Sequence, residues 1–270
     1  MPSAKHSRGL RHEQAAAHPP PAGVGRPQRK ASPKVLGIAA AVLVAVALAV
    51  GIAIAVGSGS SSGTSGLPAV GQLQGGVPGA VDVQHLLNGI PQHGSILGST
   101  AAPATMVEYV DLQCPYCREF ETVVLPKLLS RYVRPGKLRI DLRILAFIGP
   151  DSVSGRSAAL AAAEQGRMFN FSELLYFNQG VENTGWLDQS MIGSTMASIP
   201  GVFVQKALDA AGSRLVASRA TAIDSEALAA GINSTPTVLV GKTGTAPVGV
   251  SLASPTDIAA VEAAIDAALS

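Results

Sequence analysis

The chain has 270 residues with 20 basic and 18 acidic side chains, five histidines and only two cysteines. Seven of the basic residues and a single acid, Glu13, precede Val35, which leaves 13 basic and 17 acidic residues beyond it, a net charge of −4. The positive balance therefore belongs to the N-terminal tail and gives no ground for a nucleic-acid partner.

Residues 1–34 are rich in Pro, Ala and basic side chains, a composition too poor in apolar residues to fold, and are expected to be a disordered tail. Residues 35–56 follow without one charged or strongly polar side chain. As a helix they span about 33 Å, enough for a hydrocarbon core of roughly 30 Å. A cleavable signal peptide has a shorter apolar core, about 7–15 residues, although Ala53-Ile54-Ala55 fits a small-residue cleavage site. A retained transmembrane helix is the reading adopted. All the basic residues of the tail lie N-terminal to it, so the positive-inside rule places the tail in the cytoplasm. The chain then crosses the cell membrane once and the rest is extracytoplasmic. Residues 57–88 open on Gly57-Ser58-Gly59-Ser60-Ser61-Ser62-Gly63 and are expected to form a flexible Gly/Ser-rich linker. The short amphipathic piece Val83–Leu87 takes no firm assignment. One domain is expected over residues 89–270.

In that domain Met106–Leu112 reads as a strand, rich in residues that favour extended backbone. Arg118–Leu125 carries apolar residues at helical spacing. Between them stand both cysteines, as Cys114-Pro115-Tyr116-Cys117. A strand running into a helix whose first turn holds C-x-x-C is the setting of a redox-active dithiol. The macrodipole and the free backbone N–H groups of a helix start favour thiolate. Cys114 is then the exposed nucleophile, and Cys117, one turn further in, resolves the mixed disulfide. Pro115 suits the first turn, where its missing N–H costs nothing. Zinc is the competing use of such a pair, but it takes three or four protein ligands. His6, His12, His18, His85 and His93 show no ligand-like spacing. A static disulfide is the other, yet so short a loop constrains the unfolded chain little.

Further along, Lys137–Leu145 alternates apolar and charged residues, the pattern of a half-buried strand. Strand, helix and strand make a βαβ unit. From about 150 to 231 the chain turns Ala-rich and helical, with pieces at Ser157–Met168, Phe171–Asn178, Leu187–Ile199 and Val202–Gly231. Thr237–Gly241 returns to strand and Pro255–Leu269 closes as an amphipathic helix. The fold class is α/β, a sheet interrupted by a helical insertion and preceded by one transmembrane helix.

The stretch Asp111-Leu112-Gln113-Cys114-Pro115-Tyr116-Cys117-Arg118-Glu119-Phe120, the insertion, and Gly231-Ile232-Asn233-Ser234-Thr235-Pro236-Thr237-Val238 resemble the DsbA-like branch of the thioredoxin superfamily over about 89–270. The resemblance implies a thioredoxin fold. It makes Pro236 the family's cis-proline, with Thr235 and Pro236 presenting backbone to a substrate peptide beside Pro115 and Tyr116. It matches Glu108 to the buried acid beneath the disulfide, a carboxyl whose pKa burial raises and which accepts a proton from Cys117. Pro115-Tyr116 departs from the Pro-His of the most oxidising members and is the pair familiar from glutaredoxins. Thr before the proline also occurs in disulfide isomerases and reductases.

The expected function is oxidation of cysteines to disulfides in exported proteins, catalysed by Cys114, Cys117 and Glu108. The resemblance supplies a quinone-linked membrane oxidase as redox partner and calls for no metal or organic cofactor; a monomer is expected. A reductase or isomerase, and a peptide-binding adaptor with a structural disulfide, are the alternatives. The triplets Asn170-Phe171-Ser172 and Asn233-Ser234-Thr235 fit a glycosylation pattern that chance often produces. Phe169, Phe171, Tyr176 and Trp186 line either a substrate groove or, as core packing, the domain interior.

Overall fold

A computed structural model describes residues 66–270. The expected tail, the transmembrane helix at 35–56 and residues 57–65 lie outside the described residues. Among the described residues no helix is long and apolar enough to cross a membrane.

The chain opens with α1 (Ala80–Leu87), the short strands β1 (Gln92–His93) and β2 (Ile96–Leu97), and β3 (Ala104–Val110). After β3 come α2 (Pro115–Val123), α3 (Leu125–Leu128), one wide helical turn at Leu129–Val133, and β4 (Leu138–Ile144). Five helices follow: α4 (Pro150–Ala163), α5 (Met168–Phe177), α6 (Gln189–Ala197), α7 (Val204–Ala211) and α8 (Arg214–Ala229). The chain ends with β5 (Thr237–Lys242), β6 (Val248–Gly249) and α9 (Ile258–Leu269).

The sheet order is β1-β2-β4-β3-β5-β6. β3 lies at its centre, parallel to β4 and antiparallel to β5, with Glu108 opposite Leu142 on one side and Val238 on the other. The β4 alternation works as read: Leu138, Ile140, Leu142 and Ile144 are fully enclosed while Arg139 and Arg143 stay half-buried. Asp141 is the exception. It is buried although charged, and its carboxyl accepts from Ser95 Oγ at 2.6 Å and pairs with Arg143 at 2.8 Å.

The helical insertion lies between β4 and β5, as expected, but its boundaries differ. α4 starts at Pro150, where proline at the first helical position is harmless, rather than at Ser157. The expected helix 202–231 is two helices, because Ser213 caps a new start by accepting from Val216 N. α4 is enclosed along most of its length. At Gly155 an added Cβ would lie 2.9 Å from Leu187 Cδ1 and 3.1 Å from Leu112 Cδ1, so glycine lets this helix approach the loop that follows β3.

The linker ends earlier than expected. From residue 66 onward the chain lies on the domain: Gly71 N donates to Val202 O at 2.8 Å, Gln72 N to Ala197 O at 2.8 Å and Val77 N to Ser198 Oγ at 2.8 Å. α1 then buries Ala80, Val83 and Leu87, and Asn178 Nδ2 of the α5 C-cap donates to Pro78 O. Three apolar residues at i, i+3 and i+7 in an eight-residue helix are a weak signal without the surface that receives them.

Candidate active site

β3 delivers Asp111, Leu112 and Gln113 to the start of α2, and all three are buried. Asp111 organises this loop. Its carboxyl accepts from Gln113 N (2.9 Å), Ser152 Oγ (2.6 Å), Phe147 N (2.8 Å) and Ile148 N (3.1 Å). One side chain thus ties the active-site loop to the exit of β4 and the first turn of α4. The insertion holds the loop from another side. Gln179 Nε2 donates to Leu112 O at 2.9 Å and to Cys114 O at 3.1 Å, and Asn183 N donates to Gln113 Oε1 at 2.7 Å. The sequence reading missed Asp111, Gln179 and Asn183. Polar residues in loops carry no pattern that names their partners.

Cys114 is the N-cap of α2, Pro115 follows in the first turn, and Cys117 lies one turn in; both cysteines are free thiols. The Cys114 thiol is held down at about 6. The Cys117 thiol donates to it, and the Thr235 side chain and the N–H groups of Cys117 and Tyr116 add to the effect against the cost of burial. Burial drives Cys117 the other way, well above the usual thiol range, and the neighbouring Cys114 charge adds to it. Cys114 was expected to be exposed. It is only 5 % exposed, because the Thr235 carbonyl stands 3.5 Å from its sulfur, and Cys117 is sealed completely.

The Thr235–Pro236 bond is cis. Pro115 is exposed and Tyr116 is 58 % exposed. Thr235 and Pro236 share with Tyr116 and Pro255 the lining of a hollow of about 300 Å³. A second hollow of about 530 Å³ lies on the other flank of Cys114, between Pro115, Arg118 and Gln179. All four residues expected to border substrate are therefore gathered around Cys114.

Glu108 is fully buried on the central strand, as expected, and has no partner outside the carboxyl cluster described next, Cys117 included. Two more buried carboxyls stand with it: Glu121, from the inner face of α2, and Glu173, from α5. Both Glu121 oxygens and one Glu173 oxygen likewise have no N–H, hydroxyl or thiol donor. Two ionised carboxylates cannot hydrogen-bond each other, so the three satisfy one another only by holding protons. Burial pushes Glu121 up to about 7, held back by donation from Glu173 and Glu108. Burial and the charge of Glu121 raise Glu108 and Glu173 further. The missed signal for Glu173 was a lone charge inside the apolar run Met168–Phe177. Phe169, Phe171 and Tyr176 are core residues, with Tyr176 OH donating to Asp111 O at 3.2 Å, and Trp186 is partly buried. Asn170 is buried too and accepts from Gln92, so it offers no acceptor for a glycan.

Residues 92–267 match the family model described as Thioredoxin. The chain belongs to the thioredoxin family. Within that family its helical insertion is DsbA-like. It resembles BdbD from Bacillus subtilis in the oxidised form (TM-score 0.58, 20 % identity, 67 % of this chain and 97 % of that one). It also resembles alpha-DsbA1 of Wolbachia pipientis (TM-score 0.53, 17 % identity, 68 % and 92 %). At these identities the likeness shows the fold. In sequence, the chain is 32 % identical over 113 residues to the probable disulfide bond formation protein D of Bacillus cereus, covering 41 % of this chain and 52 % of that protein. The chain thus spans about half the length of this curated relative.

Proposed function

We propose that this family member is a membrane-anchored, extracytoplasmic thiol–disulfide oxidoreductase that oxidises cysteine pairs of exported proteins. The observation that carries the reading is the opposed setting of two neighbouring thiols: Cys114 stands at the N-cap of α2, where its thiol is held down at about 6, while Cys117 is sealed one turn in and burial drives it well above the usual thiol range. A stabilised thiolate stabilises the reduced pair, which makes its disulfide an oxidant.

In the oxidised state a substrate thiolate attacks Cys114 Sγ. The Cys114–Cys117 bond breaks, and Cys117 leaves with the electron pair and takes up a proton. A second substrate thiolate then attacks the substrate sulfur of the mixed disulfide and expels Cys114 as thiolate. Two electrons pass from substrate to protein. Cys114 is a good leaving group because its thiolate is already favoured. The hollow beside Thr235 and Pro236 receives the extended substrate backbone. A quinone-linked membrane oxidase returns the pair to the disulfide. The name of the Bacillus cereus relative supports this direction. The apolar run at 35–56 supports the single-pass topology with a cytoplasmic tail.

The test is a disulfide-exchange assay on a reduced protein carrying two cysteines. The oxidised full chain forms the substrate disulfide stoichiometrically, and Cys114→Ser abolishes it. An oxidised full chain that binds the substrate but forms no substrate disulfide points to a peptide-binding adaptor instead. Membrane attachment is read separately, by alkaline extraction and by protease access from each side.

A further inference from the structure

Cys117 has to gain a proton each time the disulfide opens and lose one each time it closes, yet no part of it reaches solvent. Its route is written in the spacing of α2. Glu121 is four residues after Cys117, so the two side chains are neighbours on the buried face of the helix. Glu121 meets Glu108 from β3 and Glu173 from α5, and this pair of glutamates on α2 and α5 also lines a pocket of about 280 Å³. The pocket lies at the C-terminal end of α2, the end away from Cys114. Its other walls are Asp82, Val83 and Leu86 of α1, with Thr122, Pro126 and Phe177.

We infer that Glu121 and Glu173, with Glu108, form a proton path joining Cys117 to the solvent of this pocket, so that the proton and the substrate reach the dithiol from opposite ends of α2. The path rests on the oxidoreductase reading. When the disulfide is reduced, Cys117 leaves as thiolate and takes a proton from the carboxyl cluster, which refills from the pocket. On reoxidation the Cys114 thiolate first attacks the disulfide of the redox partner; the Cys117 thiol then returns its proton to the Glu121 carboxylate as its sulfur attacks Cys114 Sγ of that mixed disulfide and expels the partner's sulfur as thiolate. Oxygens on all three glutamates that have no donor outside the cluster are what a transient proton carrier needs, since a fixed donor would hold each carboxyl in one state. The titratable groups that face the cluster are Cys117 on α2, Tyr176 on α5 and Asp82 on α1. The Tyr176 hydroxyl is occupied by Asp111 O. The ionisation of Glu121 near neutral pH fits a carrier that works in both directions.

The experiment is rapid-mix reduction of the oxidised full chain by dithiothreitol across pH 5–9, with rates normalised to dithiothreitol thiolate and Cys114 titrated in parallel by thiolate absorbance. In the unaltered chain the normalised rate falls as pH rises through about 7. Glu121→Gln is expected to lower the rate at least about tenfold and to remove that inflection, with the Cys114 titration unmoved. Leu86→Trp, which narrows the pocket without altering a carboxyl, is expected to slow the reaction and keep the inflection. Unchanged rates in both variants overturn the path and leave the oxidoreductase reading standing. A shift of the Cys114 titration equal to the rate loss overturns it as well, since the effect is then one of charge. An unaltered chain that exchanges no disulfide overturns both readings.

Discussion

The Thr235 carbonyl oxygen lies 3.5 Å from Cys114 Sγ although 121 residues separate the two. The entire helical insertion is threaded between them, so closure of the sheet by β5 builds the site. The same contact recesses the thiol and brings the Thr235 side chain into the set of groups that favours its thiolate.

Cys114 is expected to titrate at about 6 in the reduced chain. Thiolate absorbance measures this directly. A small alkylating reagent should label Cys114 long before Cys117, because only the former is a thiolate and only the latter is fully sealed. Equal labelling of the two, read by mass spectrometry, contradicts the assigned roles.

The reduced chain is expected to melt above the oxidised one, and the gap should widen from pH 6 to pH 9. The folded Cys114 pKa lies below its ordinary value of 9.0, so its stabilisation is complete above pH 9 and is lost as pH falls through about 6. After allowance for solvent screening the effect is on the order of 2 kcal/mol. Paired thermal melts at each pH decide it, and a more stable oxidised form favours the reductase alternative.

The oxidised form isolates the carboxyls, since it has no thiol to titrate. The folded Glu121 pKa is raised from 4.5 to about 7, so its contribution is complete below pH 4.5 and is lost as pH rises through 7. Stability of the oxidised chain should therefore decline across that window. Glu121→Gln should flatten the decline, as measured by urea unfolding at fixed pH.

Asp111→Ala strands three buried or partly buried donors and the Ser152 hydroxyl. The expected loss is about 3–5 kcal/mol. Asp111→Asn recovers only part of it, because the amide NH₂ faces N–H groups. Urea unfolding of the reduced chain is the measurement.

Gly71→Ala places a Cβ 2.2 Å from Ile199 O and 2.7 Å from Met196 O, both backbone atoms that cannot turn aside. Gly155→Ala meets only the tips of Leu187 and Leu112. The first should cost more than the roughly 1–3 kcal/mol of ordinary overpacking and free the segment before α1 to proteolysis, while the second should stay within that range.

The local chemistry was legible in the residues alone. Strand residues, then Cys114-Pro115-Tyr116-Cys117, then helical periodicity specify a thiolate at a helix start, because backbone preference and the capping position act over a few residues. Alternation along Leu138–Ile144 and the Ala-rich stretch after Pro150 revealed a strand and an insertion for the same reason. The burial of Glu108 followed from its place on a central strand. Tertiary structure decided the remainder. Whether α1 is linker or wall depends on the surface of α5 that receives it. Asp111 is a keystone only because Ser152, Phe147 and Ile148 converge on it from two other elements. Glu121 and Glu173 are 52 positions apart, and nothing in the sequence pairs them with each other. Folding removes them from water together with Glu108, and desolvation, with the charge of Glu121 acting on the other two, raises all three carboxyls.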